Sequence, residues 1–152
     1  MENVKILFTK VSDKAQVPYC AYNGTSAAFD IYCSHTTTIP PNSSAKIPND
    51  LKVSIREKDP FYMMVHTRSS IGFNNEIICH PGIIDAGYTG ILGIKLYNLG
   101  DKPFTIKEGE RYAQITIHRK HNVEMVELND SEFREYEKSQ LRGNNGFGSS
   151  SK

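Results

Sequence analysis

The chain has 152 residues, with 18 Lys+Arg against 17 Asp+Glu, a formal charge of +1 and 38% hydrophobic residues. That size fits one ordinary domain whose core needs no disulfide or metal to hold it, and the near-balanced charge excludes a domain built to wrap nucleic acid. No run of about 18 apolar residues exists, which excludes a spanning helix and hence a membrane partner, and Cys20, Cys33 and Cys79 are scattered without a CxxC pair, which excludes a disulfide framework or zinc ribbon. The opening residues, MENVKILFTKVSDK, lack a signal-peptide pattern, so an intracellular, reducing compartment (cytoplasm or nucleus) is expected.

In chain order, residues 5–9, 29–33 and 36–39 read as short strands. Leu51, Val53 and Ile55 then alternate with Lys52, Ser54 and Arg56, the period of a half-buried strand. Residues 62–66 form another strand-like run. Residues 68–73 (RSSIGF) begin with hydroxyls that could cap a single helical turn. Residues 76–79 return to strand character. Leu92, Ile94 and Leu96 alternate with Gly93, Lys95 and Tyr97, and Ala113, Ile115 and Ile117 with Gln114, Thr116 and His118. Residues 131–138 (SEFREYEK) predict another short turn of helix. With 11 Gly and 7 Pro punctuating the chain, long helices have no room, so the expected class is all-β, a barrel or jelly roll. The last eleven residues, RGNNGFGSSSK, cannot build a core. A domain over 1–141 followed by a flexible arm over 142–152 is therefore expected.

Five short islands carry chemistry. Ser26-Ala27-Ala28-Phe29-Asp30-Ile31 places a carboxylate in an apolar strand, either paired with a cation or pointing outward from an edge. Thr67-Arg68-Ser69-Ser70 offers a guanidinium fork and hydroxyls suited to phosphate, or a plain helix cap. Gly82 to Gly90 (GIIDAGYTG) flanks Asp85 and Tyr88 with glycines, as a tight hairpin open to a ligand does, or as any hairpin does. Gly109-Glu110-Arg111-Tyr112-Ala113-Gln114 puts an amide on a strand's polar face, with Arg111 expected to pair with an acidic neighbour. Arg142-Gly143-Asn144-Asn145-Gly146-Phe147-Gly148-Ser149 combines glycines, a cation and an aromatic ring, a pattern suited to closing over a nucleotide. It lacks the Gly-Lys-Ser/Thr ending of a Walker A loop.

Taken together and in this order, the islands resemble the five motifs of the homotrimeric dUTPases. Ala27 to Ile31 matches motif one, Arg68 to Ile71 motif two, Gly82 to Gly90 motif three, Gly109 to Gln114 motif four and Arg142 to Ser149 motif five. The resemblance implies a distorted jelly-roll β-barrel with one short helix, and hydrolysis of dUTP to dUMP and pyrophosphate. That activity limits uracil in DNA and supplies dUMP for thymidylate synthesis. It implies Asp85 as the base that activates a water for attack on the α-phosphate. It implies Mg²⁺ on the triphosphate, with Asp30 ordering the metal's waters. Arg68, Ser69, Ser70 and Gln114 would hold phosphate oxygens. Gly82, Ile83 and Ile84 would present backbone to uracil, with Gly93 leaving room beneath the base. Tyr88 would pack against the deoxyribose, and Phe147 would stack on uracil. Arg142, Gly148 and Ser149 would complete the phosphate cage. The arm would cross to a neighbouring copy, so that a homotrimer shares its sites.

Two departures stand out: Ala28 replaces a usual glycine, and Gly87 stands where many members carry an acidic residue, so altered hairpin geometry is expected there. The sister class, dCTP deaminase, resembles the chain through Arg-Ser-Ser and the Asp85-Ala86-Gly87-Tyr88 hairpin. That class carries a glutamate on the following strand where this chain has Lys95, and it lacks the Gly-Phe-Gly arm. His66 and His80 are expected beside the site or in the core, and the 118–121 stretch (HRKH) as a solvated basic patch.

Overall fold

A computed structural model describes residues 3–143 and 145. The strands are β1 (Ile6–Lys10), β2 (Tyr19–Cys20), β3 (Ala28–Tyr32), β4 (Thr37–Ile39), β5 (Ser43–Lys46), β6 (Leu51–Ile55), β7 (Phe61–Thr67), β8 (Ile77–Cys79), β9 (Gly82–Ile84), β10 (Lys95–Asn98), β11 (Phe104–Ile106) and β12 (Arg111–Arg119). Helical segments are α1 (Ala21–Gly24), α2 (Ser69–Asn75) and α3 (Asp130–Lys138). The fold is all-β, of the jelly-roll kind. No helix among the described residues is long and apolar enough to cross a membrane. The chain divides into two compact units between His121 and Asn122.

The first unit holds every strand among the described residues. Its largest sheet runs β2-β3-β12-β7-β9, all antiparallel neighbours, and smaller sheets pair β5-β10-β8, β1-β6 and β11-β4. Strand period decides which residues go inside. On β6, Leu51, Val53 and Ile55 are buried while Lys52 faces out. On the large sheet, Ile31, Met63, Val65, Ala113 and Ile115 fill one face, each large aliphatic side chain contributing roughly 1.5–3 kcal/mol. Asp30, Gln114 and His66 share a row on the opposite face.

One polar tie runs through the core. The Asn49 amide donates to the Leu92 carbonyl at 2.8 Å and to the Tyr112 hydroxyl at 3.2 Å, and that hydroxyl donates to the Ile47 carbonyl at 3.0 Å. Every buried side-chain polar atom in it is satisfied, so its hydrogen bonds offset the cost of taking these groups out of water.

The structure corrects several expectations. Helical segments form where both short turns were expected, and a third, α1, joins them among the described residues. The brief α1 contains left-handed Tyr22 and Asn23 (φ 54° and 55°) and is a tight turn more than a helix. In the second unit, α3 starts one residue earlier than expected because Asn129 and Glu132 form a reciprocal capping box. The alternation at 92–97 becomes a strand only from Lys95. Before it, single bonds go to different partners: Leu92 N–H to the Leu51 carbonyl, and Ile47 N–H to the Ile94 carbonyl. Strands β2, β5, β9 and β11 lie outside the runs read as strands.

Candidate active site

Asp30 sits on β3 at 8% exposure, in the middle of the large sheet's outer face, not pointing out from an edge. Burying that carboxylate requires cations, and two reach it. Arg68 Nε donates to Oδ1 at 3.0 Å, and Arg111 Nη1 donates to Oδ2 at 3.0 Å. Arg68 Nη1 also donates to the Arg111 backbone carbonyl at 3.2 Å. The acidic neighbour expected for Arg111 is therefore Asp30, and the same carboxylate orients Arg68. The Arg111 guanidinium additionally lies 5.0 Å from the centre of the Tyr19 ring, a cation–π contact. Nothing in the sequence marks Tyr19 for that role, since it depends on β2 pairing Tyr19 opposite Asp30.

Arg68 itself is the N-cap of α2, with its side chain turned away to Asp30, and no side chain caps that helix. The hydroxyl cap expected at 68–73 is thus absent. Ser69 and Ser70 occupy the first turn and remain exposed to a ligand. Gln114 Nε2 donates to the Thr67 carbonyl at 3.1 Å, which ties the amide to the end of β7 just before Arg68. Four of the predicted phosphate-holding residues, Arg68, Ser69, Ser70 and Gln114, therefore converge with Asp30 at one end of β7.

Asp85 lies elsewhere. It follows β9, where Gly82 pairs with Val65 and Ile84 with Met63, so Asp85 comes level with Tyr62. Its turn is held by Gly87 N–H donating to the Ile55 carbonyl at 2.8 Å and Tyr88 N–H donating to the Asp85 carbonyl at 3.3 Å. Gly87 has φ +84°, a left-handed conformation that favours glycine, and a Cβ there would meet Glu57 Cβ at 3.3 Å. A cavity of about 410 Å³ opens beside Asp85 and is also lined by Ile83, Glu57 and Lys120. Tyr88 donates its hydroxyl to the Ile91 carbonyl at 2.9 Å. Gly93 lies on a different cavity, of about 310 Å³, and a Cβ there would meet nothing within 4 Å.

Arg142, in the second unit, is exposed and donates from Nε to the Asn145 carbonyl at 3.1 Å. Phe147, Gly148 and Ser149 lie outside the described residues. His80 is exposed, with its Nδ1 3.4 Å from the Tyr97 hydroxyl, and is not a core residue. His66 and His118 both bond the Thr116 hydroxyl, at 2.9 and 2.6 Å, and His118 stacks on Tyr62 at 5.3 Å. His118 is therefore half-buried in the sheet face rather than part of a solvated patch. Lys95 Nζ lies 5.1 Å from the centre of the Tyr97 ring, so the position that carries a glutamate in deaminases holds a cation here. Among the described residues, no group of three His, Cys, Asp or Glu is arranged to hold a metal.

The first four motifs thus lie on a β scaffold that can be compared with known proteins. The dUTPase family model matches residues 13–151. The deoxyuridine 5'-triphosphate nucleotidohydrolase of Yaba monkey tumor virus is 33% identical over 150 residues, covering 99% of both chains. The enzyme of the same name from Swinepox virus is 35% identical over 141 residues, covering 93% of each. The chain belongs to the dUTPase family.

The dUTPase fold extends to solved structures. The dUTPase of Staphylococcus bacteriophage 80alpha, a G164S mutant with dUpNHpp, superposes with a TM-score of 0.83 at 26% identity, over 96% of this chain and 98% of that one. The Asp30–Arg68–Arg111 knot and the Asp85–Tyr88 turn stand at separate places on this fold.

Proposed function

We propose that the chain hydrolyses dUTP to dUMP and pyrophosphate at a site assembled between copies of itself. One observation carries this reading. Arg68 follows the last residue of β7 and Asp85 lies level with Tyr62, so six residues of strand (68 − 62) separate them. At a rise of about 3.3 Å per residue that is roughly 20 Å. A general base works within about 3 Å of the proton it takes, so one chain's Asp85 cannot serve a phosphate held by its own Arg68. A second copy supplies the missing half, and a closed ring of three supplies it for every site.

In that assembly Asp85 takes the proton of a water that attacks the α-phosphorus. The bond to the bridging oxygen breaks and pyrophosphate leaves. Arg68, with Nε and one Nη1 bond committed to Asp30 and Arg111, keeps its remaining N–H groups for phosphate oxygens. Ser69, Ser70 and Gln114 add donors. Gly82, Ile83 and Ile84 offer backbone to the uracil edge, Gly93 leaves open space under the base, and Tyr88 fills the place a 2′-hydroxyl would need. Arg142, Phe147, Gly148 and Ser149 close over the nucleotide. The activity keeps uracil out of DNA and provides dUMP.

Magnesium fits as a substrate-borne ion. Among the described residues no cluster of carboxylates could cage it, and Asp30 already accepts from two guanidiniums. The remaining lone pairs of Asp30 suit water ligands of an ion whose inner shell is triphosphate oxygen and water, as this cation prefers. When bound, the ion neutralises phosphate charge. The three cysteines are all free thiols, which supports an intracellular, reducing compartment.

Pyrophosphate and ammonia release from dUTP, dCTP, dTTP and UTP with Mg²⁺, beside an Asp85→Asn variant, tests the reading. Pyrophosphate from dUTP alone, lost in the variant, is expected. Ammonia from dCTP would move the chain to the deaminase class, and pyrophosphate unaffected by the variant would remove Asp85 from its role.

A further inference from the structure

We infer that Gly90 is a specificity-setting position: its missing side chain is the space into which the Tyr88 ring folds, and any larger residue there relaxes exclusion of ribonucleotides. The inference rests on the proposed placement of Tyr88 against the deoxyribose. The two glycines of this turn are required for different reasons. Gly87 adopts φ +84° and answers a backbone demand. Gly90 is outside the left-handed region, so its backbone suits any residue.

What a side chain at 90 meets is tyrosine. An ideal Cβ there falls 2.6 Å from Tyr88 Cζ and 3.0 Å from Cε2, with the hydroxyl oxygen in contact as well. Carbon atoms settle at about 3.5–4.0 Å, so the ring and a methyl group cannot both occupy this place. The ring is also tethered. Its hydroxyl donates to the Ile91 carbonyl at 2.9 Å, and the next residue, Leu92, donates its N–H to the Leu51 carbonyl at 2.8 Å. Tyr88 is thus pinned to the segment that follows its own turn, with Gly90 as the gap it lies across. A methyl group at 90 forces the ring off that tether, because the ring pivots about two side-chain torsions and the backbone is bonded on both sides. Gly90 is accordingly a positioning residue that acts through Tyr88.

The test uses four full-length proteins: wild type, Gly90→Ala, Tyr88→Ala and the double variant. For each, kcat and KM for dUTP and UTP are measured along with the thermal midpoint. Gly90→Ala is expected to lower the dUTP/UTP ratio of kcat/KM by roughly tenfold or more, the scale of steric discrimination in a small pocket. The double variant is expected to match Tyr88→Ala in that ratio, since with the ring gone the methyl group meets open space. The thermal midpoint is expected to fall on Gly90→Ala only while Tyr88 is present. An unchanged ratio in Gly90→Ala overturns the inference. So does a double variant whose losses multiply, which would place the demand for glycine in the backbone. A wild type that releases no pyrophosphate from dUTP refutes the proposed function and the specificity role with it, whereas activity with an intact ratio refutes the Gly90 role alone.

Discussion

Asp30 shows how a single buried carboxylate organises cationic side chains for anion binding. Its charge is balanced by Arg68 and Arg111, both at 3.0 Å, and removing it leaves two guanidiniums facing each other. Asp30→Asn keeps the shape and removes the charge. Because the arginines are partly solvated, the expected cost is about 1.5–3 kcal/mol, that of hydrogen bonds to a charged group. A fall in kcat/KM for dUTP of roughly tenfold or more should accompany it, because Arg68 loses its orientation at the phosphate. Wild-type stability and turnover in this variant would show that the knot is incidental. Cys79 tests burial rather than pairing. Desolvation pushes its thiol up from an ordinary 9.0 to about 11, and burial pushes Tyr112 in the same direction. Both raised values favour the protonated form in the folded state. The stability they contribute is complete below pH 9 and lost as pH rises through about 11 for the thiol. Denaturant midpoints at pH 8 and pH 10.5 should therefore differ, with the lower midpoint at alkaline pH. Cys79 should also resist alkylation at pH 8 while the half-buried Cys20 reacts.

At the scale of elements, β7 acts as a spacer with Arg68 beyond one end and the Asp85 turn beside the other, and the turn is the more fragile end. Gly87→Ala would force an alanine to φ +84° and press its methyl group on Glu57 at 3.3 Å. A loss of about 1–2 kcal/mol is expected, with kcat reduced as Asp85 shifts. Glu57→Ala in the same chain should recover the packing part of that loss but not the backbone part, and a thermal melt of the pair separates them. How far this could be read in the sequence depended on the element. Leu51-Val53-Ile55 and Ala113-Ile115-Ile117 announce themselves because one face of each strand is buried and the side-chain period is two. β5 (Ser43–Lys46) has no such alternation, and it is a strand because β10 offers an edge to pair with. The Gly-rich motifs made the Asp85 turn legible. The Asp30 knot was legible only as three separate residues, because its bonds join positions 38 and 81 apart in the chain. Only the pairing of β12 with β3 and β7 brings these residues together, and no local stretch of sequence marks which distant strands become neighbours.

At the scale of the whole molecule, the separation of the two half-sites makes a claim about assembly that inactive variants can test. On the proposed reading, Arg68→Ala removes the phosphate clamp and keeps the base, whereas Asp85→Asn removes the base and keeps the clamp. If each site took both residues from one chain, a mixture of the two variants would contain no intact site in any arrangement. If the clamp comes from one copy and the base from its neighbour, an Asp85→Asn chain can lend its Arg68 to an Arg68→Ala chain that still carries Asp85. With equal, random mixing in a closed ring, that pairing arises at about a quarter of the sites. The two variants should therefore be nearly inactive alone. After co-expression, or after joint unfolding and refolding, they should recover about a quarter of wild-type pyrophosphate release from dUTP. Mixing the already assembled proteins without subunit exchange should recover nothing, which serves as the internal control. Persistent inactivity of refolded mixtures shown to contain both chains would place Arg68 and Asp85 of one chain in the same site, and the roughly 20 Å strand separation would then have to be closed by a rearrangement of β9 against β7.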